Sequence, residues 1–150
     1  VLIEGPKWCG KTTTARQRAS SEVLMQDPRT RDQNRRLAQI APQVLLEGPS
    51  PRLIDEWQVA PQLWDAVRYE VDCRDEFGQF ILTGSSVPVD FSEMEHSSGM
   101  GRISRMRMRP MALFESGDST GSVSLGALFD GAPLPVAPAE DGFESLAFLV

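Results

Sequence analysis

Cysteine and histidine are scarce in this chain, with two and one respectively in 150 residues. Cys9 falls inside a glycine-flanked loop and Cys73 in a charged segment, so neither is placed as part of a disulfide framework. Both are expected to be free thiols. His96 stands alone in a polar stretch, where solvation is its ordinary fate. No apolar run approaches the length of a membrane span, and no signal-peptide pattern opens the chain, so a cytoplasmic protein without a membrane partner is expected. The net charge of −6 argues against a surface that attracts nucleic acid everywhere, although local basic stripes remain. What is present is ordinary for a globular domain: 41% hydrophobic and 24% charged residues, in a chain long enough to bury a sizeable core. The chain starts at Val1 and stops in an apolar run at Val150, which reads as a piece of a longer protein.

The most specific stretch is Gly5-Pro6-Lys7-Trp8-Cys9-Gly10-Lys11-Thr12, two glycines with four residues between them followed by Lys and a hydroxyl residue. A polyphosphate needs many donors at close range, and each residue type here has a part in supplying them. Gly5 and Gly10 let the backbone curl so that its N–H groups turn inward. The helix that follows would aim its positive end at the same anion. Lys11 brings a mobile charge for the terminal phosphates, and the Thr12 hydroxyl suits a hydrated magnesium ion. The segment from Gly5 to Thr13 is therefore expected to hold the nucleotide; a glycine-rich turn with an incidental lysine is the plainer alternative. The apolar run Val1-Leu2-Ile3 before it and a helical pattern over 12–25 after it supply the strand, loop and helix order such a loop requires.

Further along, Asp27-Pro28 breaks the helical pattern, and 29–40 reads as an arginine-rich helix with a narrow apolar edge. Its arginines are expected to be a solvated face, with a binding patch as the alternative that the interleaved Asp27 and Asp32 argue against. Val44-Leu45-Leu46, closed by Glu47-Gly48-Pro49, reads as a second strand. Leu53-Ile54-Asp55-Glu56 then runs from apolar residues straight into two acids, as a buried parallel strand does when its C-terminal end opens on an active site. Behind a phosphate loop, Asp55 is placed to bind magnesium and Glu56 to orient or deprotonate an attacking water. A helix cap with a first-turn acid is the alternative for the pair. Residues 60–72 have helical spacing, with Trp57 and Trp64 expected in packing rather than base stacking. Phe80-Ile81-Leu82 makes another strand, ending in Thr83-Gly84-Ser85-Ser86, whose hydroxyls would point into the same crevice; an ordinary loop composition is the alternative.

Residues 87–101 are loop-like, and the alternation of Arg105, Arg107 and Arg109 with Met106 and Met108 predicts a half-buried strand with a basic face, either a structural edge or a surface for phosphate or a partner. A helical turn over 110–116, a loop over 117–121, a short helix over 123–129, a Pro/Ala-rich linker over 131–138 and the start of an amphipathic helix over 140–150 complete the reading.

Four stretches carry a resemblance: Gly5 to Ala15, Pro51 to Gln58, Gly78 to Ser86, and Gly101 to Met111. Through them the chain resembles a group of predicted prokaryotic AAA-type ATPases in which the ATPase domain precedes a C-terminal domain of unknown function. The resemblance implies an α/β P-loop NTPase fold with a central, mostly parallel sheet of about five strands, helices on both faces and the start of a helical lid. It implies an ATPase core over 1–130, its first strand clipped, followed by a linker and truncated helical segment over 131–150. ATP and magnesium are the implied cofactors, with Lys11 and Thr12 serving phosphate and metal, Asp55 the metal and Glu56 the water. It also makes Thr83 or Ser85 the polar sensor and Arg102 the arginine that touches a terminal phosphate. A homo-oligomer, and a nucleic acid or protein partner reached through the C-terminal domain, belong to the same picture. Two other classes stay open: a non-hydrolysing nucleotide switch, and a small-molecule kinase, against which the tandem acids argue for water as the acceptor.

Overall fold

The structure, a computed structural model, describes residues 1–85, 102–117, 119–121 and 124–131. Ser86, His96, the predicted loop over 87–101, the linker after Gly131 and the C-terminal helix lie outside these residues. The chain divides into two compact units, Val1–Pro110 and Met111–Val150.

The first unit is a five-stranded sheet in which every pairing is parallel. Its strands are β1 (Leu2–Glu4), β2 (Ser21–Leu24), β3 (Arg52–Asp55), β4 (Phe80–Gly84) and β5 (Arg105–Arg107), in the order β2-β3-β4-β1-β5. Parallel neighbours need crossovers, and helices supply them: α1 (Lys11–Arg16), α2 (Arg31–Ile40), α3 (Pro42–Leu46) and α4 (Leu63–Arg74). The period-two alternation of strands splits the apolar residues between the faces. Leu2, Ile54 and Leu82 join Leu46, Leu63, Trp64 and Val67 in the larger core, whereas Ile3 and Leu53 meet Ala15 of α1 in the smaller one. Trp57 and Trp64 pack with ring centroids 5.1 Å apart, both buried. The expected α/β fold with helices on both faces is the observed one.

Two elements differ from their sequence reading, and the errors cancel in the strand count. The helix expected over 12–25 stops at Arg16, and Ser21–Leu24 pairs with β3 instead. Val23 and Met25 are buried, with Glu22 exposed before them and Leu24 only half-buried between them, an alternation that pairing with β3 rewards and an isolated helix would not. Conversely, Val44-Leu45-Leu46 lies in α3 rather than a strand. Pro42 opens that helix, where its missing N–H costs nothing, and Leu45 and Leu46 enter the large core. The basic strand is β5, at a sheet edge, with all three residues exposed.

In the second unit, α5 (Leu113–Ser116) and α6 (Leu125–Phe129) fall where short helices were expected. The Ala112 N–H donates to the Glu115 carboxylate at 2.7 Å, satisfying an otherwise open donor at the start of α5. No helix among the described residues is long and apolar enough to cross a membrane.

Candidate functional site

Parallel pairing brings the C-terminal ends of β1, β3 and β4 side by side, and the polar residues of three sequence stretches meet there. The chain leaves β1 through Gly5, pressed against the segment after β5. The Met108 N–H donates to the Glu4 carbonyl at 2.7 Å, and a Cβ on residue 5 would stand 2.4 Å from the Met108 carbonyl oxygen. Close approach therefore demands a glycine at 5. Gly10, at φ 90°, demands one for a different reason, since the left-handed turn there starts α1. Trp8 takes a left-handed φ of 74° without that freedom and is 89% exposed.

Lys11 is the first residue of α1 and is buried at 5% exposure. Its ammonium donates to the Gly5 and Pro6 carbonyls at 2.9 and 2.8 Å, which compensates the charge and lays it across the loop. Thr12 follows, and its hydroxyl donates to Oδ1 of Asp55 at 2.7 Å. Asp55 ends β3 in register with Thr83 of β4, and the Thr83 hydroxyl donates to the same oxygen at 2.5 Å. Thr83 is fully buried. One carboxylate oxygen thus joins the loop helix, the third strand and the fourth.

Glu56 leaves the strand with φ 56°, a left-handed conformation that a non-glycine residue holds at a cost. Its Oε2 accepts from the Ser85 hydroxyl at 3.0 Å and from the Gln58 amide. Lys7, Trp8, Gly10, Lys11, Thr12, Thr13 and Glu56 line one cleft of ≈ 340 Å³. Asp55, Thr83 and Ser85 do not line that cleft themselves but are connected to Thr12 and Glu56 by the bonds just described. Cys9 is buried within the loop as a free thiol, and Cys73 is free and exposed. Arg16, in the last turn of α1, grips Glu22 at 2.7 Å, and that hydrogen bond raises the guanidinium pKa, with Asp55 a lesser contributor.

The donor set suits magnesium. A hydroxyl and a carboxylate oxygen 2.7 Å apart are hard ligands, and magnesium asks for one or two carboxylates besides phosphate and water. Among the described residues no three His, Cys, Asp or Glu gather as a richer metal cage would require.

Arg102 is not brought to this cleft. It precedes β5, at the opposite end of the strands, where its guanidinium pairs with Asp72 of α4. Two residues that the sequence reading passed over belong to the site. Gln58 bonds Glu56, and Gly84 makes room for it, because a Cβ on residue 84 would lie 2.7 Å from the Gln58 carbonyl oxygen. The only signal for either is adjacency: an amide two residues after the acids, and a glycine between the two strand-end hydroxyls.

The family model of the AAA domain matches residues 1–116. No curated protein matches the chain.

Proposed function

The chain belongs to the AAA domain family, and we propose that it binds ATP with magnesium and hydrolyses it. One observation carries the reading: Thr12 and Thr83 converge on a single oxygen of Asp55, while the adjacent Glu56 faces the cleft that Lys11 and the loop line. Phosphoryl transfer is mostly positioning and charge stabilisation, and these residues supply both. The loop from Gly5 to Thr13 cradles the phosphates through backbone N–H groups, with Pro6, Lys7, Trp8 and Cys9 forming its arch. Lys11 exchanges its two carbonyl partners for the terminal phosphates. Thr12 and Asp55 would hold magnesium, which would supply charge for the phosphoryl oxygens. Glu56 orients the water and takes its proton, while Thr83 in β4 fixes Asp55 and Ser85, just beyond that strand, fixes Glu56. Preference for ATP rests on the resemblance, as does a C-terminal effector region driven by turnover and an ATPase core that extends over 1–130. Arg102 faces away from its own cleft, so the phosphate contact assigned to it by resemblance requires a neighbouring copy in a homo-oligomer.

The test is nucleotide titration and phosphate release with and without magnesium. Lys11→Ala should weaken ATP binding about 10- to 100-fold, as loss of a charged hydrogen-bonding group does, and chelation of magnesium should stop release. Binding that is equal in Lys11→Ala and the parent would overturn the reading.

A further inference from the structure

We propose that Gln58 is a positioning residue for Glu56, an inference that rests on the hydrolytic reading above. Gln58 lies in the short 3₁₀ turn Trp57–Val59 that follows the acids. Its amide nitrogen and the Ser85 hydroxyl, from separate elements, both donate to Oε2 of Glu56. Two donors on one oxygen fix the plane of the carboxylate and leave Oε1 as the oxygen they do not engage. That oxygen is the one available to a water.

The orientation of the amide is determined by chemistry. A carboxylate accepts only, so the Gln58 nitrogen must face it and the carbonyl oxygen must point away. There, Oε1 of Gln58 is buried and has no hydrogen-bond partner among the described residues. Burying an unpartnered carbonyl is costly, and an apolar side chain of similar length would avoid the cost. The amide is therefore of use for its donation and not for packing. Gly84 serves the same contact, since any Cβ there would meet that carbonyl at 2.7 Å. Glu56 itself sits in a left-handed conformation, which persists only where the surroundings over-determine it. Gln58, Gly84 and Ser85 are those surroundings.

Two variants separate positioning from folding. Gln58→Met keeps the length and loses the donor, and Gly84→Ala keeps the donor and displaces it. Each should lower kcat for ATP about 10- to 100-fold with KM within about twofold, the loss expected when a reacting group is misplaced by about an ångström. The double variant should be no worse than the worse single one, because both act on one contact. Independently of activity, the Gln58 side-chain amide resonance should stand apart from those of solvent-exposed glutamines and move in Glu56→Gln. Unchanged kcat in both single variants, losses that multiply in the double variant, or a Gln58 amide at the exposed-glutamine position would each overturn the inference. Failure of the hydrolytic reading looks different. Glu56→Gln would then keep full turnover while the amide resonance still reported the contact.

Discussion

The two ends of β3 are three residues apart and do different work. At its start, Arg52 donates to the Leu45 carbonyl at 2.7 Å and to the Ser21 hydroxyl at 2.9 Å, fastening α3 and β2 to the strand. The packing is tight enough that a Cβ on Gly48 would meet the guanidinium at 2.3 Å, and partial burial lowers the Arg52 pKa. At its end, Asp55 accepts two hydroxyls, and Glu56 turns into a left-handed conformation beside an open cleft. The first end uses its charge on backbone and side-chain partners that hold the fold. The second directs hydroxyls and carboxylates at a space that another molecule can enter. A parallel sheet explains the asymmetry, because every strand leaves toward the same side and its loops gather there.

Substitutions at the two ends should separate activity from stability. Thr83→Val removes one of the two donors on Asp55 with little change of shape, so turnover should fall about tenfold, the worth of one hydrogen bond, with the melting temperature nearly kept. Phosphate release beside a thermal melt measures both, and full turnover in this variant would erase the distinction between the ends. Arg52→Met should do the reverse. It strands the Leu45 carbonyl and should cost about 1–3 kcal/mol of stability in urea unfolding, with turnover per folded molecule unchanged. The smallest effect is a control at the functional end but outside the cleft. Asp27 lies beyond β2, and the side chain and backbone N–H of Arg29 hold its carboxyl down at about 2, below the ordinary 3.8. A depressed carboxyl stabilises the fold fully above the ordinary value and loses that contribution as pH falls toward the folded one. Asp27→Asn should therefore flatten the pH dependence of stability between about pH 4 and pH 2, with turnover at neutral pH unaffected.

The same contrast marks what the sequence made legible. The loop residues, the acids ending β3 and the hydroxyls ending β4 were readable because phosphate chemistry restricts both residue type and spacing. The fold class followed from the resemblance together with apolar runs separated by helical spacing. The β2 strand and α3 helix were not readable locally. Both are short, too short for a period to decide between strand and helix, so β2 is settled by pairing with β3 and α3 by burial of Leu45 and Leu46. The contact between Gln58 and Gly84 was not readable for another reason, since it joins residues 26 positions apart and exists only once β3 and β4 are paired.

The central claim is that Glu56 acts on water while the loop and Lys11 bind nucleotide, and one paired measurement on Glu56→Gln tests it. The variant keeps the shape of the side chain and removes the carboxylate base. ATP affinity should stay within about threefold of the parent while magnesium-dependent phosphate release falls by about 100-fold or more, within the usual range for a lost general base. Turnover equal to the parent's, with ATP binding intact, would contradict it.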